Sequence, residues 1–171
     1  MNLVRAMKSK LPMLCVGIFG FAAMTAPAFA TTAVTTTFTV SATVASVCTI
    51  AANALAFGTY TGSASAVNTT VTVTCNQSTN PFNVGLNAGT ATGATVTSRK
   101  MTGPAGATLN YALYSNSALT TNWGNTVGTD TVTGQTTGTT ADALTVYGSI
   151  PAGQSVPPGA YTDTITATVT Y

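Results

Sequence analysis

From residue 31 onward, apolar and hydroxyl side chains alternate with a period of two. Phe38, Val40, Ala42 and Val44 fall on one side of the chain, with Thr37, Thr39, Ser41 and Thr43 opposite. Val67, Thr69, Val71, Val73 and Cys75 alternate with Asn68, Thr70, Thr72 and Thr74. Phe82, Val84, Leu86 and Ala88 form a third set, and Leu109, Tyr111 and Leu113 a fourth. Tyr161, Ile165, Ala167, Val169 and Tyr171 form the last, with threonine at most positions between them. Each run presents one apolar and one hydroxyl face, which predicts half-buried antiparallel strands. No helical period appears in this region. Stretches rich in Gly, Asn and Pro at 58–65, 87–93, 103–106, 122–128 and 151–159 supply the turns. Strands at such short spacing predict an all-β sandwich or barrel, with no second domain and no long linker. The Thr-rich piece 129–140 fits a strand with long turns as well as it fits low complexity.

The first 30 residues follow a different pattern. Arg5, Lys8 and Lys10 precede an apolar stretch over 11–23, and Ala28-Phe29-Ala30 gives a small-x-small exit. This predicts a signal peptide over 1–30, cleaved after Ala30. The apolar stretch is short for a membrane anchor. Cys15 follows Leu14 inside the apolar stretch, which is not a lipoprotein pattern. Removing the leader leaves 141 residues, an ordinary length for one domain with a real core.

That cleavage changes the charge. The full chain is +2, but the leader takes three cations with it. Arg99, Lys100, Asp130, Asp142 and Asp163 then remain, for a net charge of −1. No basic patch for nucleic acid or anionic lipid survives, and no membrane insertion is expected after cleavage. Threonine makes up about a quarter of what is left, a neutral composition that suits pleated strands. So few charges guard poorly against association, which fits a protein that assembles.

Candidate chemistry is sparse. Cys48 and Cys75 remain after leader removal, and two cysteines in an exported chain most simply form one disulfide. Closing a loop of about 27 residues contributes on the order of 3 kcal/mol. A zinc site lacks ligands, since the chain has no histidine, and no metal or other cofactor is expected. The three aspartates stand apart in Thr- and Gly-rich surroundings and read as turn or surface residues. Without histidine or a Gly-x-Ser-x-Gly elbow, a nucleophile has no base, so catalysis is not expected. Arg99-Lys100 reads as a solvated loop. Trp123 reads as an aromatic capping the core from a turn, against the alternative of a sugar-stacking residue.

The C-terminal run Pro157-Pro158-Gly159-Ala160-Tyr161-Thr162-Asp163-Thr164-Ile165, with its alternation to Tyr171, resembles the closing signature of the spore coat protein U domain family. Further pieces match in order. They are Val47-Cys48-Thr49-Ile50, Phe57-Gly58, Val71-Thr72-Val73-Thr74-Cys75, Leu109-Asn110-Tyr111-Ala112-Leu113-Tyr114, Trp123-Gly124 and Tyr147-Gly148-Ser149-Ile150-Pro151. The likeness covers essentially the whole chain after the leader. The family comprises major pilins of archaic chaperone–usher pili.

The resemblance implies an incomplete immunoglobulin-like β-sandwich, completed by a donor strand from a neighbouring subunit. It implies a domain over 46–171 preceded by a donor segment over 31–45. Val34, Phe38, Val40, Ala42 and Val44 are then the groove-filling residues, with Thr36 on the same face. The implied partners are identical subunits in a fibre, a periplasmic chaperone and an outer-membrane usher. The implied destination is the cell surface, with a role in surface attachment and biofilm formation. Pattern alone leaves open whether the segment pairs within its own chain or in trans. Two other readings are a secreted spore-coat-like or matrix protein and a small carbohydrate-binding module.

Overall fold

The computed structural model describes residues 31–76 and 80–171. The leader expected over 1–30 lies outside the described residues. The chain divides into two units, the first ending at Ser41 and the second beginning at Ala42. In the first unit, residues 31–41 are exposed and form no strand, despite their alternation.

The second unit contains eight strands among its described residues. They are β1 (Cys48–Ala52), β2 (Ser65–Cys75), β3 (Asn80–Leu86), β4 (Arg99–Thr102), β5 (Thr108–Tyr114), β6 (Val132–Thr136), β7 (Asp142–Ile150) and β8 (Ala167–Thr170). One sheet has the order β1-β2-β7-β5-β4 and the other β6-β3-β8, and every pairing is antiparallel. The architecture is therefore a two-sheet sandwich. Register follows the alternation. Val71 lies opposite Leu144 and Thr69 opposite Val146 on the inner face, while Thr70 lies opposite Thr145 on the outer face. A one-residue slip would turn every valine of β2 to solvent, so the pattern itself fixes the pairing.

The enclosed core comprises Val71, Val73, Phe82, Val84, Leu86, Leu109, Leu113, Val146 and Ile150 from four strands, closed by Trp123. Trp123 sits in the turn after β5. Its indole N–H donates to the Val84 carbonyl at 2.8 Å and its backbone N–H to Leu113 at 3.0 Å. One residue thus ties the two sheets together. Cys48 and Cys75, opposite each other at the ends of β1 and β2, are joined by a disulfide.

Beyond the N-terminal run, the structure departs from the sequence expectations at three places. Arg99 is not in a solvated loop; it lies on the inner face of β4 and is fully buried. Its guanidinium donates to the carbonyls of Leu86, Asn87, Val96 and Trp123 at 2.7–2.8 Å. A buried cation persists only when its donors are satisfied, and these four carbonyls satisfy this one. Second, β7 is a nine-residue central strand that the alternation did not flag. Its inner face reads Leu144, Val146, Gly148, Ile150, and the glycine interrupts the apolar series. Third, the C-terminal run pairs as a strand only from Ala167; Thr162 instead bridges to Thr102 at the end of β4.

Candidate functional site

The sandwich is open along one flank, and the opening is built from two stretches that leave their sheets. The first follows β1. Asn53 is the last residue held to β2, through N–H to the Thr70 carbonyl at 3.0 Å. From 54 to 61 no backbone N–H or C=O has a hydrogen-bonding partner among the described residues. Pairing resumes at Gly62, whose carbonyl accepts from Gly153 at 2.9 Å. The Tyr60 hydroxyl pins the far end, donating to the Pro151 carbonyl at 2.9 Å and accepting from the Gln154 N–H at 3.0 Å.

What keeps this unpaired stretch in place is its side chains. Leu55 and Phe57 turn inward over Gly148 of β7. A Cβ there would stand 2.5 Å from Leu55 and 2.8 Å from Phe57, so the glycine makes the seat that both occupy. Phe57 also meets Tyr111 edge-on, with ring centroids 6.0 Å apart.

The second stretch is the C-terminal run. After the Thr162–Thr102 bridge it crosses to the other sheet, where β8 pairs with β3. No strand is hydrogen-bonded to the outer edge of β8 among the described residues. Between these two lips lies a hollow of about 400 Å³, floored by Val71, Leu86, Leu113 and Val146. It adjoins a second hollow of about 940 Å³, with Leu55, Phe57, Met101 and Tyr161 common to both. The apolar side chains that rim the opening, including Met101, Tyr161 and Ile165, are only half-buried. They pack on the core and remain partly open to solvent.

A polar cluster lies in the floor beneath the C-terminal lip. The Asp163 carboxylate accepts hydrogen bonds from the Tyr111 hydroxyl at 2.7 Å, the Thr90 N–H at 2.8 Å, the Thr90 hydroxyl at 2.9 Å and the Thr164 N–H at 2.8 Å. Burial alone would raise its pKa. The bonds from Thr90, Tyr111 and Thr164 outweigh that and hold it below the ordinary aspartate value. Burial drives the Tyr111 phenol far above its usual range, and the bond to Asp163 and its charge add to this, so it remains a donor at all ordinary pH. Burial lowers the Arg99 pKa, against the opposing charges nearby.

The residues expected to fill a groove are all exposed. Val34 is 96 % exposed, Phe38 85 %, Val40 82 % and Val44 77 %, and Ala42 is exposed as well. Just after them the chain is clamped by Asn76. Its side chain accepts from Val47 N–H and donates to the Ala45 carbonyl, both at 2.9 Å, and its own N–H reaches the Val47 carbonyl at 3.0 Å. Trp123 is fully buried and offers no sugar platform. Asp130 and Asp142 act locally, accepting from the backbone N–H of Thr126 and Gln135. Among the described residues no three His, Cys, Asp or Glu side chains converge. Nor is any helix among them long and apolar enough to cross a membrane.

Sequence reasoning missed Leu55, Phe57, Gly148 and the Asp163 cluster as site residues. The one usable signal was Gly148, a glycine at an inward position of an otherwise apolar strand face, which marks close approach of another segment.

The geometry is that of an all-β sandwich with an unfilled strand position. The chain belongs to the Spore Coat Protein U domain family, whose pattern matches residues 34–168. No curated protein matches it. Among solved structures it is similar to a chain of the CsuC–CsuE chaperone–tip adhesion subunit pre-assembly complex, from archaic chaperone–usher Csu pili of Acinetobacter baumannii. That likeness has 24 % identity and a TM-score of 0.54, and covers 75 % of this chain. This chain spans 40 % of the other's length. A looser likeness, to the E. coli Hda pilus minor tip subunit HdaB, has 19 % identity and a TM-score of 0.34, over 72 % of this chain and 79 % of that one. At these identities only the first bears on the fold, and it agrees with an incomplete immunoglobulin-like sandwich.

Proposed function

We propose that this chain is the structural subunit of an extracellular fibre, polymerising by strand addition. Residues 31–44 of one copy enter the open flank of the next. The observation that carries this reading is the pair of unpaired backbone lips, 54–61 and the outer edge of β8, on either side of an apolar floor. A strand laid between them satisfies both edges and covers the half-buried rim. An exposed segment that alternates apolar and hydroxyl residues is chemically suited to the position.

Burying Val34, Phe38, Val40 and Val44 would contribute roughly 1.5–3 kcal/mol each, as upper values. Backbone pairing adds to that. A head-to-tail contact of this kind does not close on itself and so gives a fibre.

In this scheme residues 1–30 direct export, 31–45 act as donor and 46–171 form the acceptor domain. An unfilled groove invites aggregation, so a periplasmic chaperone holds it until an outer-membrane usher passes the subunit to the fibre. The fibre then serves attachment and biofilm formation at the cell surface.

Deleting residues 31–44 is expected to abolish fibres seen by electron microscopy while the subunit still accumulates with its chaperone. Normal fibres from that deletion would refute the scheme. Appending residues 31–44 after Tyr171 through a flexible linker is expected to give a monomer that melts well above the unfused chain. An unchanged melting temperature would count against a missing strand.

A further inference from the structure

We infer that Asp163 is a positioning residue for strand capture, holding the C-terminal lip in a shape ready for pairing before the incoming strand arrives. This inference rests on the strand-addition reading above and adds a device within the acceptor groove.

The lip must be ordered without the usual means of ordering a strand. At its start, Thr162 exchanges two backbone bonds with Thr102, at 2.8 and 3.1 Å. At its end, the Thr166 carbonyl accepts from the Asn87 N–H at 3.1 Å, and the Thr166 N–H donates to the Asn87 side chain at 2.9 Å. Between these points, residues 163–165 lack a ladder partner, because the chain is crossing from one sheet to the other. Among the described residues, the only hydrogen bonds made in that interval go to the Asp163 carboxylate.

The carboxylate reaches three separate parts of the fold. Tyr111 belongs to β5 and is 5 % exposed. Thr90 belongs to the loop after β3. Thr164 belongs to the lip itself. The loop is shaped for this contact. Gly89 has φ of +87°, and a Cβ there would fall on the Asp163 carboxylate. Only glycine both adopts that backbone and leaves that space. Tyr161, Ile165 and Ala167, on the same stretch, then line the hollow.

The kinetic consequence is specific. If a lip is competent for only a fraction of the time, capture slows by that fraction. Once the strand is seated, its own pairing and burial hold the lip, so escape is hardly altered. Preorganisation of this kind acts on association.

The test uses the full chain and a fluorescent synthetic peptide of residues 31–44, with capture and release followed by anisotropy. Asp163→Ala is expected to slow capture about tenfold, with release changed by less than about twofold. Asp163→Asn, which keeps one carbonyl acceptor, is expected to recover some of the lost rate. Should Asp163→Ala fail to fold, Tyr111→Phe and Thr90→Ala each remove single bonds and are each expected to slow capture a few-fold. Equal capture rates in all these variants would overturn the inference. So would a fall in capture matched by an equally large rise in release, which marks general loosening of the groove. No capture by the unaltered chain would instead defeat the strand-addition reading itself.

Discussion

Along one flank of the sandwich Phe82, Trp123 and Arg99 are fully enclosed; along the other, Phe57, Tyr161 and Ile165 stay half exposed. The two flanks draw on similar residues, aromatics and branched aliphatics spaced by threonines. What separates them is the presence of a neighbour. On the closed flank Trp123 and Arg99 reach across to carbonyls at the end of β3 and seal the gap. On the open flank the stretch after β1 and the outer edge of β8 stand apart, and among the described residues no strand is hydrogen-bonded to either. Burial here is set by which backbone edges find partners, not by how apolar the residues are.

The sharpest way to test this contrast is to make the same truncation on each flank. Phe82→Ala is expected to cost roughly 4 kcal/mol in denaturant unfolding of the subunit, as a full cavity in a packed core. Phe57→Ala should cost less than half as much in the same measurement, since Phe57 is already partly solvated. Comparable losses would mean that the open flank is as well packed as the closed one.

Arg99→Met comes next in size. It removes the cation and leaves the carbonyls of Leu86, Asn87, Val96 and Trp123 without their donor. A loss of about 3 kcal/mol is expected, with Lys a poor substitute because it cannot match the planar fork. Full stability in the Lys variant would show that charge alone, without geometry, closes the flank.

A smaller effect comes from acid. The pKa of Asp163 is lower in the folded chain than in an unfolded one. Its contribution is therefore present above the ordinary aspartate value near 3.9 and lost as pH falls through the depressed folded value. Unfolding midpoints measured from pH 6 down to pH 2 should decline at the acid end, and Asp163→Asn should flatten that decline. A profile unchanged by this substitution would assign the acid sensitivity elsewhere.

The smallest change is in the enclosed part of β6. The Thr136 hydroxyl is buried and has no hydrogen-bond partner among the described residues. Thr136→Val keeps the shape and removes the unmet group, so it is expected to be neutral or to stabilise by up to about 1 kcal/mol. A clear loss of stability would reveal a partner for the hydroxyl.

Much of the sandwich was legible in the sequence because β2, β3 and β5 each keep one clean apolar face. The alternation at Val67–Cys75 gives both the strand and its inward side. β7 was not legible, because Gly148 breaks its inner face to make room for Leu55 and Phe57. Arg99 was misread because charge ordinarily means solvent, and the carbonyls that receive it come from Leu86-Asn87, Val96 and Trp123, well apart along the chain. The same alternation appears at 37–44, yet no strand forms there. A period of two shows that a segment is fit to pair; it does not show with what. The groove was implied only by the family likeness, and its geometry depends on two stretches brought together from opposite ends of the domain's sequence.

The clamp at the entrance to β1 has a mechanical consequence. In a fibre, tension would enter each subunit through its N-terminal segment and arrive at Ala45–Val47, where Asn76 grips the chain. β1 is an edge strand paired only with β2, and Cys48 opposite Cys75 is the first rung that such a pull would meet. Without a covalent link there, the ladder would open rung by rung, the weak mode of failure for a hairpin. The disulfide sits at that first rung. Load therefore passes directly into β2, which is flanked on both sides, and the subunit is pulled in shear across the middle of its larger sheet rather than unzipped from its edge.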